Sequence, residues 1–153
     1  MSVEAFHKIV VPIDGSKYSF RAASTGIGIA KKFGAELILV HVAAINQNLQ
    51  MLGVYGTSHP ESVASRIKAE GEDAASWFAS IKDEASAQGV SAKSEVIDGP
   101  LSTVGEIVQY AEQRKVDLIV IGSRGRTGFK KLVLGSVASG VVTYAPCAVL
   151  VVK

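Results

Sequence analysis

Short apolar runs alternate with amphipathic helical patterns along the whole length of this 153-residue chain. Four runs are rich in β-branched residues and lack in–out alternation, which is typical of parallel strands covered on both faces. They occupy residues 9–13, 37–42, 117–121 and 148–152. A fifth run, residues 91–97, alternates apolar and polar side chains and therefore predicts a strand at the edge of the sheet.

Four helical patterns, with apolar side chains three and four residues apart, separate these runs. The first is predicted to begin after the capping residue Ser16 and to end at Gly34. The others cover residues 60–89, the stretch after Pro100 and the stretch before Pro146. Strict alternation of strand and helix predicts an α/β protein, a parallel sheet with right-handed crossovers and helices on both faces. The long connection over residues 44–59 is compatible with a surface loop or with a flap that meets a partner.

Composition excludes several classes of protein. The chain has 48% hydrophobic and 20% charged residues, which excludes a disordered chain, and its net charge of +2 lacks a nucleic-acid binder's basic excess. No signal peptide is recognisable in the first eight residues, and no apolar run reaches membrane-spanning length. The single cysteine, Cys147, precludes an internal disulfide and fits a reducing compartment. We therefore expect one cytoplasmic domain, residues 1–153, with neither nucleic acid nor membrane as a partner.

The segment from residue 122 to residue 136, directly after the apolar run of residues 117–121, has the requirements of a phosphate site. Glycines here permit positive φ and let a ligand approach bare backbone: Gly122, Gly125 and Gly135. Gly135 and Ser136 stand where a helix begins, so free N–H groups and the positive dipole end converge there. Ser136 is a candidate for capping that helix or for bonding a phosphate oxygen. Four positive charges lie within eight residues: Arg124, Arg126, Lys130 and Lys131.

Other chemical motifs are absent from the sequence. There is no Walker-type P-loop, and the three histidines show no metal-ligand spacing. Asp14 follows the first strand, at the end of the sheet where ligands bind in such folds. It is equally suited to contacting a ligand and to shaping the turn by hydrogen bonding to the backbone of Gly15 and Ser16.

The glycines carry a family resemblance. Gly122-Ser123-Arg124-Gly125, followed after nine residues by Gly135-Ser136, resembles the G-2x-G-9x-G-[ST] signature of the universal stress protein family, in its ATP-binding branch. The opening strand and acidic turn, residues 8–16, and the closing strand, residues 145–152, are similar to those of the family as well. The resemblance covers essentially the whole chain.

This resemblance implies an open, Rossmann-like sheet of five parallel strands in the order 3-2-1-4-5, and a homodimer that pairs through the last strand. It also implies an ATP site, with or without Mg²⁺, and no catalytic or metal-ligating side chain. Adenosine would be bordered by Pro12, Ile13 and Asp14, with Val42 against the adenine ring. The ribose and phosphates would be wrapped by Ile121, Gly122, Arg124 and Gly125. The phosphate chain would be held at the helix start by Gly135, Ser136, Val137 and Ala138.

The leading functional hypothesis is an ATP-binding stress or signalling dimer whose nucleotide occupancy alters the dimer or a partner surface. The alternative is an enzyme on the same site, a slow ATPase or a kinase that phosphorylates itself. Phosphoryl transfer needs a positioned metal and a base or water-orienting group, for which Asp14 is the one evident carboxylate. A third reading, a phospho-acceptor receiver domain, would need clustered acids after the first strand, where Asp14 stands alone.

Overall fold

The structure, a computed structural model, describes residues 5–43, 60–126 and 134–153, with the backbone alone for residues 60–64. The long connection, residues 44–59, therefore lies outside the described residues, and so do Lys130 and Lys131 of the basic segment. In the part that is described, no helix is both long and apolar enough to span a bilayer.

Five strands alternate with four helices in the described ranges. The strands are β1 (Lys8–Pro12), β2 (Glu36–Val42), β3 (Ala92–Ile97), β4 (Leu118–Gly122) and β5 (Ala148–Val152). The helices are α1 (Lys17–Phe33), α2 (Pro60–Ala87), α3 (Thr103–Gln113) and α4 (Ser136–Tyr144). Every predicted element is present, and boundaries differ by a few residues at most.

The strands form one parallel sheet in the order β3-β2-β1-β4-β5, which confirms the predicted order. Central β1 pairs on both sides, with Ile9 opposite Leu37 of β2 and opposite Leu118 of β4. The chain thus builds outward from β1 to one edge through β2 and β3, and then returns to build the other side through β4 and β5. The strand order reverses between β1 and β4, and in such sheets the crevice at the carboxyl ends of these two strands is where ligands bind.

The sheet separates two apolar cores. Ile9 and Val11 of β1 point to the layer formed by α1 and α2, where Phe78 is among the buried side chains. Val10, between them, points to the opposite layer, which is formed by α3 and α4. Both faces of the central strands are therefore covered, which explains why these runs show no in–out alternation. β3 is half exposed, as its alternating sequence predicted.

Serine caps fix the starts of two helices. Ser16 precedes α1, and its side chain accepts a hydrogen bond from the Ser19 N–H at 3.2 Å, which confirms the predicted cap. Ser102 does the same for α3, accepting from the Gly105 N–H at 3.1 Å. Gly34 ends α1 in the left-handed conformation, with φ of 66°, as predicted.

Candidate functional site

A cavity of about 300 Å³ opens at the carboxyl ends of β1, β2 and β4, beside the start of α4. Its position is the switch point of the sheet, and its volume is that of a small-molecule site. All twelve residues named as candidates from the sequence line this one cavity: Pro12, Ile13, Asp14, Val42, Ile121, Gly122, Arg124, Gly125, Gly135, Ser136, Val137 and Ala138. Segments more than a hundred residues apart in the chain are thus brought together.

The start of α4 forms one wall of the cavity. Gly135 is the N-cap, in extended conformation, and no side chain caps the helix. Ser136 is the first helical residue, so the expectation that it could cap α4 is wrong: the chain turns into the helix one residue earlier than that role requires. Ser136, Val137 and Ala138 therefore carry first-turn N–H groups that have no acceptor within the helix. Together with the positive end of the helix dipole, these donors suit an anion.

The backbone conformations of Gly122, Gly125 and Gly135 do not themselves require glycine. Positive φ among the described glycines occurs at Gly15, Gly34 and Gly89, and not at the three loop glycines. Gly135, for example, has a φ of −67°, which any residue can adopt. The positive φ that glycine permits is therefore not used at these positions.

Close packing is the reason for glycine at these positions. A Cβ added to Gly122 would lie 2.8 Å from the Tyr18 backbone carbonyl carbon, because β4 passes against the start of α1 at this point. A Cβ added to Gly125 would lie 2.9 Å from Asp14 Oδ2. A Cβ added to Gly135 would lie 3.2 Å from the carbonyl oxygen of Ser123, which already accepts the Gly135 N–H at 2.7 Å. Side chains at these positions would push apart the segments that form the cavity wall.

Asp14 shapes the turn between β1 and α1 and also lines the cavity. Its Oδ1 accepts the N–H of Ser16 at 2.9 Å, which is the turn-forming role suggested by the sequence. Gly15, between them, adopts a φ of 83°, so the turn itself requires glycine. The second carboxylate oxygen approaches Gly125 on the facing loop. Both roles considered for Asp14 are therefore geometrically available at once.

Several residues at the cavity were missed as site residues by the sequence analysis. The missed residues of the lining are His41, Glu70, Ser19, Val40, Thr103 and Ile107, and Trp77 lies beside His41. His41 is buried at the end of β2, with Nδ1 2.7 Å from the carbonyl oxygen of Ile13 and Nε2 3.1 Å from Glu70 Oε1. Because a carbonyl only accepts, Nδ1 must carry a proton and donate it. Trp77 of α2 contacts the His41 ring edge-on, with centroids 5.4 Å apart. His41 could have been found from the sequence, because it stands at the end of a predicted strand. Glu70 and Trp77 of α2 gave no such signal, since His41 lies 29 or more residues away from them in the chain.

Charged side chains of both signs line the cavity. The guanidinium of Arg124 lies 5.9 Å from the Tyr18 ring, and that of Arg126 lies 4.7 Å from the Trp77 ring. Asp14 belongs to the same lining. Within the described ranges, no three His, Cys, Asp or Glu side chains are grouped so that they could hold a metal ion.

The sheet order and the cavity at its switch point define a doubly wound, Rossmann-like α/β protein. Residues 5–153 match the universal stress protein family. The chain belongs to this family.

Similar proteins cover the whole described fold. The chain is 38% identical over 148 residues to Universal stress protein MJ0531 of Methanocaldococcus jannaschii, with 97% of this chain and 82% of that protein covered. Universal stress protein UspA from Lactobacillus plantarum has a similar structure, with a TM-score of 0.82 at 24% identity, covering 99% of this chain and 100% of that one. A universal stress protein solved in complex with cAMP gives a TM-score of 0.66 at 26% identity, with 98% of each chain covered.

Proposed function

We propose that this protein binds an adenine nucleotide, ATP in particular, in the cavity at the switch point. It acts in the cytoplasm as a dimer that responds to nucleotide and takes part in the stress response. The observation that carries the proposal is the start of α4. Its first-turn N–H groups have no side-chain cap, and they share the cavity with two arginines. Backbone donors, a helix dipole and guanidinium groups are what a phosphate chain requires. The universal stress protein in complex with cAMP supports an adenine nucleotide as the ligand.

The proposed ligand orientation follows the polarity of the cavity wall. Pro12, Ile13 and Val42 offer an apolar border to the adenosine, with Asp14 beside it. We propose that the phosphates lie at the first turn of α4, where backbone N–H groups can donate to their oxygen atoms. A Mg²⁺ ion, where one accompanies the nucleotide, would be held through those phosphates.

Gly135→Asp is the sharpest test of this proposal. An Asp at an N-cap accepts hydrogen bonds from the N–H groups two and three residues on, here Val137 and Ala138. It would therefore occupy the donors assigned to phosphate and add a negative charge beside them. We expect calorimetry to show loss of ATP binding, at least a hundredfold, corresponding to about 3 kcal/mol or more.

Gly28→Asp provides the matched control, since Gly28 is exposed on α1 and a Cβ there meets nothing within 4 Å. This variant should bind ATP like the wild type, and circular dichroism should show both variants folded. Tight ATP binding by a folded Gly135→Asp protein would place the nucleotide elsewhere and contradict the proposal.

A slow ATPase on the same site is the second candidate, because the Asp14 carboxylate lines the cavity. Against catalysis, Oδ1 of Asp14 is already engaged by the Ser16 N–H. Glu70, the other carboxylate of the lining, has its Oε1 3.1 Å from His41 Nε2. We expect chromatography to show ATP turnover no faster with the protein than without it. Turnover that disappears in Asp14→Asn while ATP still binds would favour the enzyme instead.

The dimer is proposed to form through β5, the last strand in sheet order. In the part of the chain that the structure describes, no strand pairs with the outer edge of β5, and exposed apolar side chains lie on β5 and on the neighbouring helix α4. These are Leu150, Val142 and Tyr144, with exposures of 39%, 48% and 70%. An edge of this kind is a template for pairing with another strand. A second copy of the chain satisfies both the backbone and the apolar surface.

A further inference from the structure

Arg126 belongs to the cavity and to the helical layer at the same time. Its side chain lines the cavity, while its Nε donates a hydrogen bond to the backbone carbonyl of Asp14. The same guanidinium lies over the indole of Trp77, 4.7 Å from the ring centroid. It therefore connects the loop after β4 to the turn after β1 and to α2. Arg124, the other cavity arginine, is placed toward Tyr18 on α1 instead.

Trp77 is packed into the turn that borders the cavity. A Cβ added to Gly15 would overlap the indole at Cζ2, so the ring lies directly against the turn backbone. The indole also contacts His41, whose Nδ1 donates to the Ile13 carbonyl and whose Nε2 lies 3.1 Å from Glu70 Oε1 of α2. Any change at Arg126 thus acts on a side chain of α2 that contacts the border of the cavity.

The contacts of Arg126 are ones that phosphate can displace. A guanidinium binds an anionic oxygen more strongly than a neutral carbonyl, and often through two parallel N–H···O bonds. A cation–π contact made by an exposed guanidinium is weak by comparison. Arg126 is exposed, so its long side chain has room to turn between partners.

We propose that Arg126 couples phosphate binding to α2. When the phosphate of a nucleotide binds at the start of α4, the Arg126 guanidinium leaves the Asp14 carbonyl to bind the phosphate, and the Trp77 ring is uncovered. This proposal rests on the proposed nucleotide binding, and it adds how nucleotide occupancy of the cavity affects a helix outside it. The signal reaches α2, whose residues 65–69 and 71–73 are exposed and available to a partner. Adenosine, which lacks phosphate, leaves Arg126 on the ring.

Trp77 is the single tryptophan of the chain, so tryptophan fluorescence reports the surroundings of this one ring. Emission is followed in the full-length protein during titration with ATP and with adenosine, with calorimetry on the same samples. We expect ATP, and not adenosine, to shift the wild-type emission toward that of nucleotide-free Arg126→Ala. Arg126→Ala should itself lose most of the ATP-induced shift while binding ATP about twofold to fivefold more weakly. Arg66→Ala, which removes the same charge from an exposed site on α2, should behave like the wild type.

Each contrary result has a distinct meaning. Calorimetric binding of ATP without any change in Trp77 emission overturns the role of Arg126 and leaves nucleotide binding intact. An equal shift with adenosine, or a full ATP shift retained in Arg126→Ala, overturns it as well, because the base would then be the cause. No binding heat with the wild type overturns nucleotide binding and the Arg126 proposal together.

Discussion

The turn after β1 shows how single residues position the site. Asp14 closes the turn through the Ser16 N–H, and Gly15 adopts a φ of 83° that side chains other than glycine rarely allow. The indole of Trp77 fills the space where a side chain at Gly15 would stand. Backbone conformation and packing therefore demand glycine at this position for separate reasons.

We expect Gly15→Ala to lower the free energy of unfolding by about 2–5 kcal/mol. Left-handed backbone costs a residue with a Cβ about 1–2 kcal/mol, and overpacking against the indole costs about 1–3 kcal/mol. Gly28→Ala is the control, since it adds the same methyl group in open space within α1. That change should stabilise the protein by about 0.5–1 kcal/mol. Urea unfolding measures both, and equal stability of the two variants would contradict this account.

Residues of the site differ in how far the sequence could reveal them. Gly122, Gly125 and Gly135 were found because their spacing is a pattern along the chain, although the physical reason for glycine there is packing. Trp77 and Glu70 were not found, because helical periodicity gives only the face of α2 that is buried. Which turn or ring that face meets is decided by tertiary structure.

At the scale of elements, Tyr110 joins α3 to the edge strand β3. Its hydroxyl donates to Glu95 Oε2 at 2.7 Å, and Arg114 binds Glu95 Oε1 at 3.2 Å. Burial, and then the hydrogen bond to Glu95, raise the pKa of Tyr110 to about 12 from an ordinary value of 10.0. The neutral hydroxyl is therefore favoured in the folded protein.

This shift predicts a pH dependence of stability. Since the folded pKa of Tyr110 is raised, its contribution is fully present below pH 10 and is lost as the pH rises from 10 toward 12. Relative to Tyr110→Phe, the wild type should lose about 1–2 kcal/mol of unfolding free energy across that range. Parallel pH profiles for wild type and Tyr110→Phe would refute the assignment.

Elements were predicted well because their signals are local. Buried runs marked the strands, Ser16 and Gly34 marked the ends of α1, and alternation marked β3 as an edge. The start of α4 was the exception, where Ser136 was a capping candidate and Gly135 is the N-cap. Serine favours a cap by propensity, but here the bond from the Gly135 N–H to Ser123 fixes where the helix begins.

For the whole molecule, the two edges of the sheet offer a direct test of the dimer. Leu150→Asp places a charge on the β5 edge and should convert the dimer to monomer at micromolar concentration, because strand pairing does not tolerate a buried charge. Val96→Asp makes the same kind of change on β3, at the opposite edge, where Val96 is 47% exposed. Sedimentation should find that variant still dimeric. A wild type that sediments as a monomer would contradict pairing altogether.

The alternate residues of β1 belong to different cores, and this has a consequence for how the molecule comes apart. Removing the α1–α2 layer would expose Ile9 and Val11, and removing the α3–α4 layer would expose Val10, all on one strand with 0% exposure. Neither layer can therefore melt while the other keeps its packing. The protein should denature in a single cooperative transition. A ligand held at one end of this sheet would then delay the loss of every element, including those that it never touches.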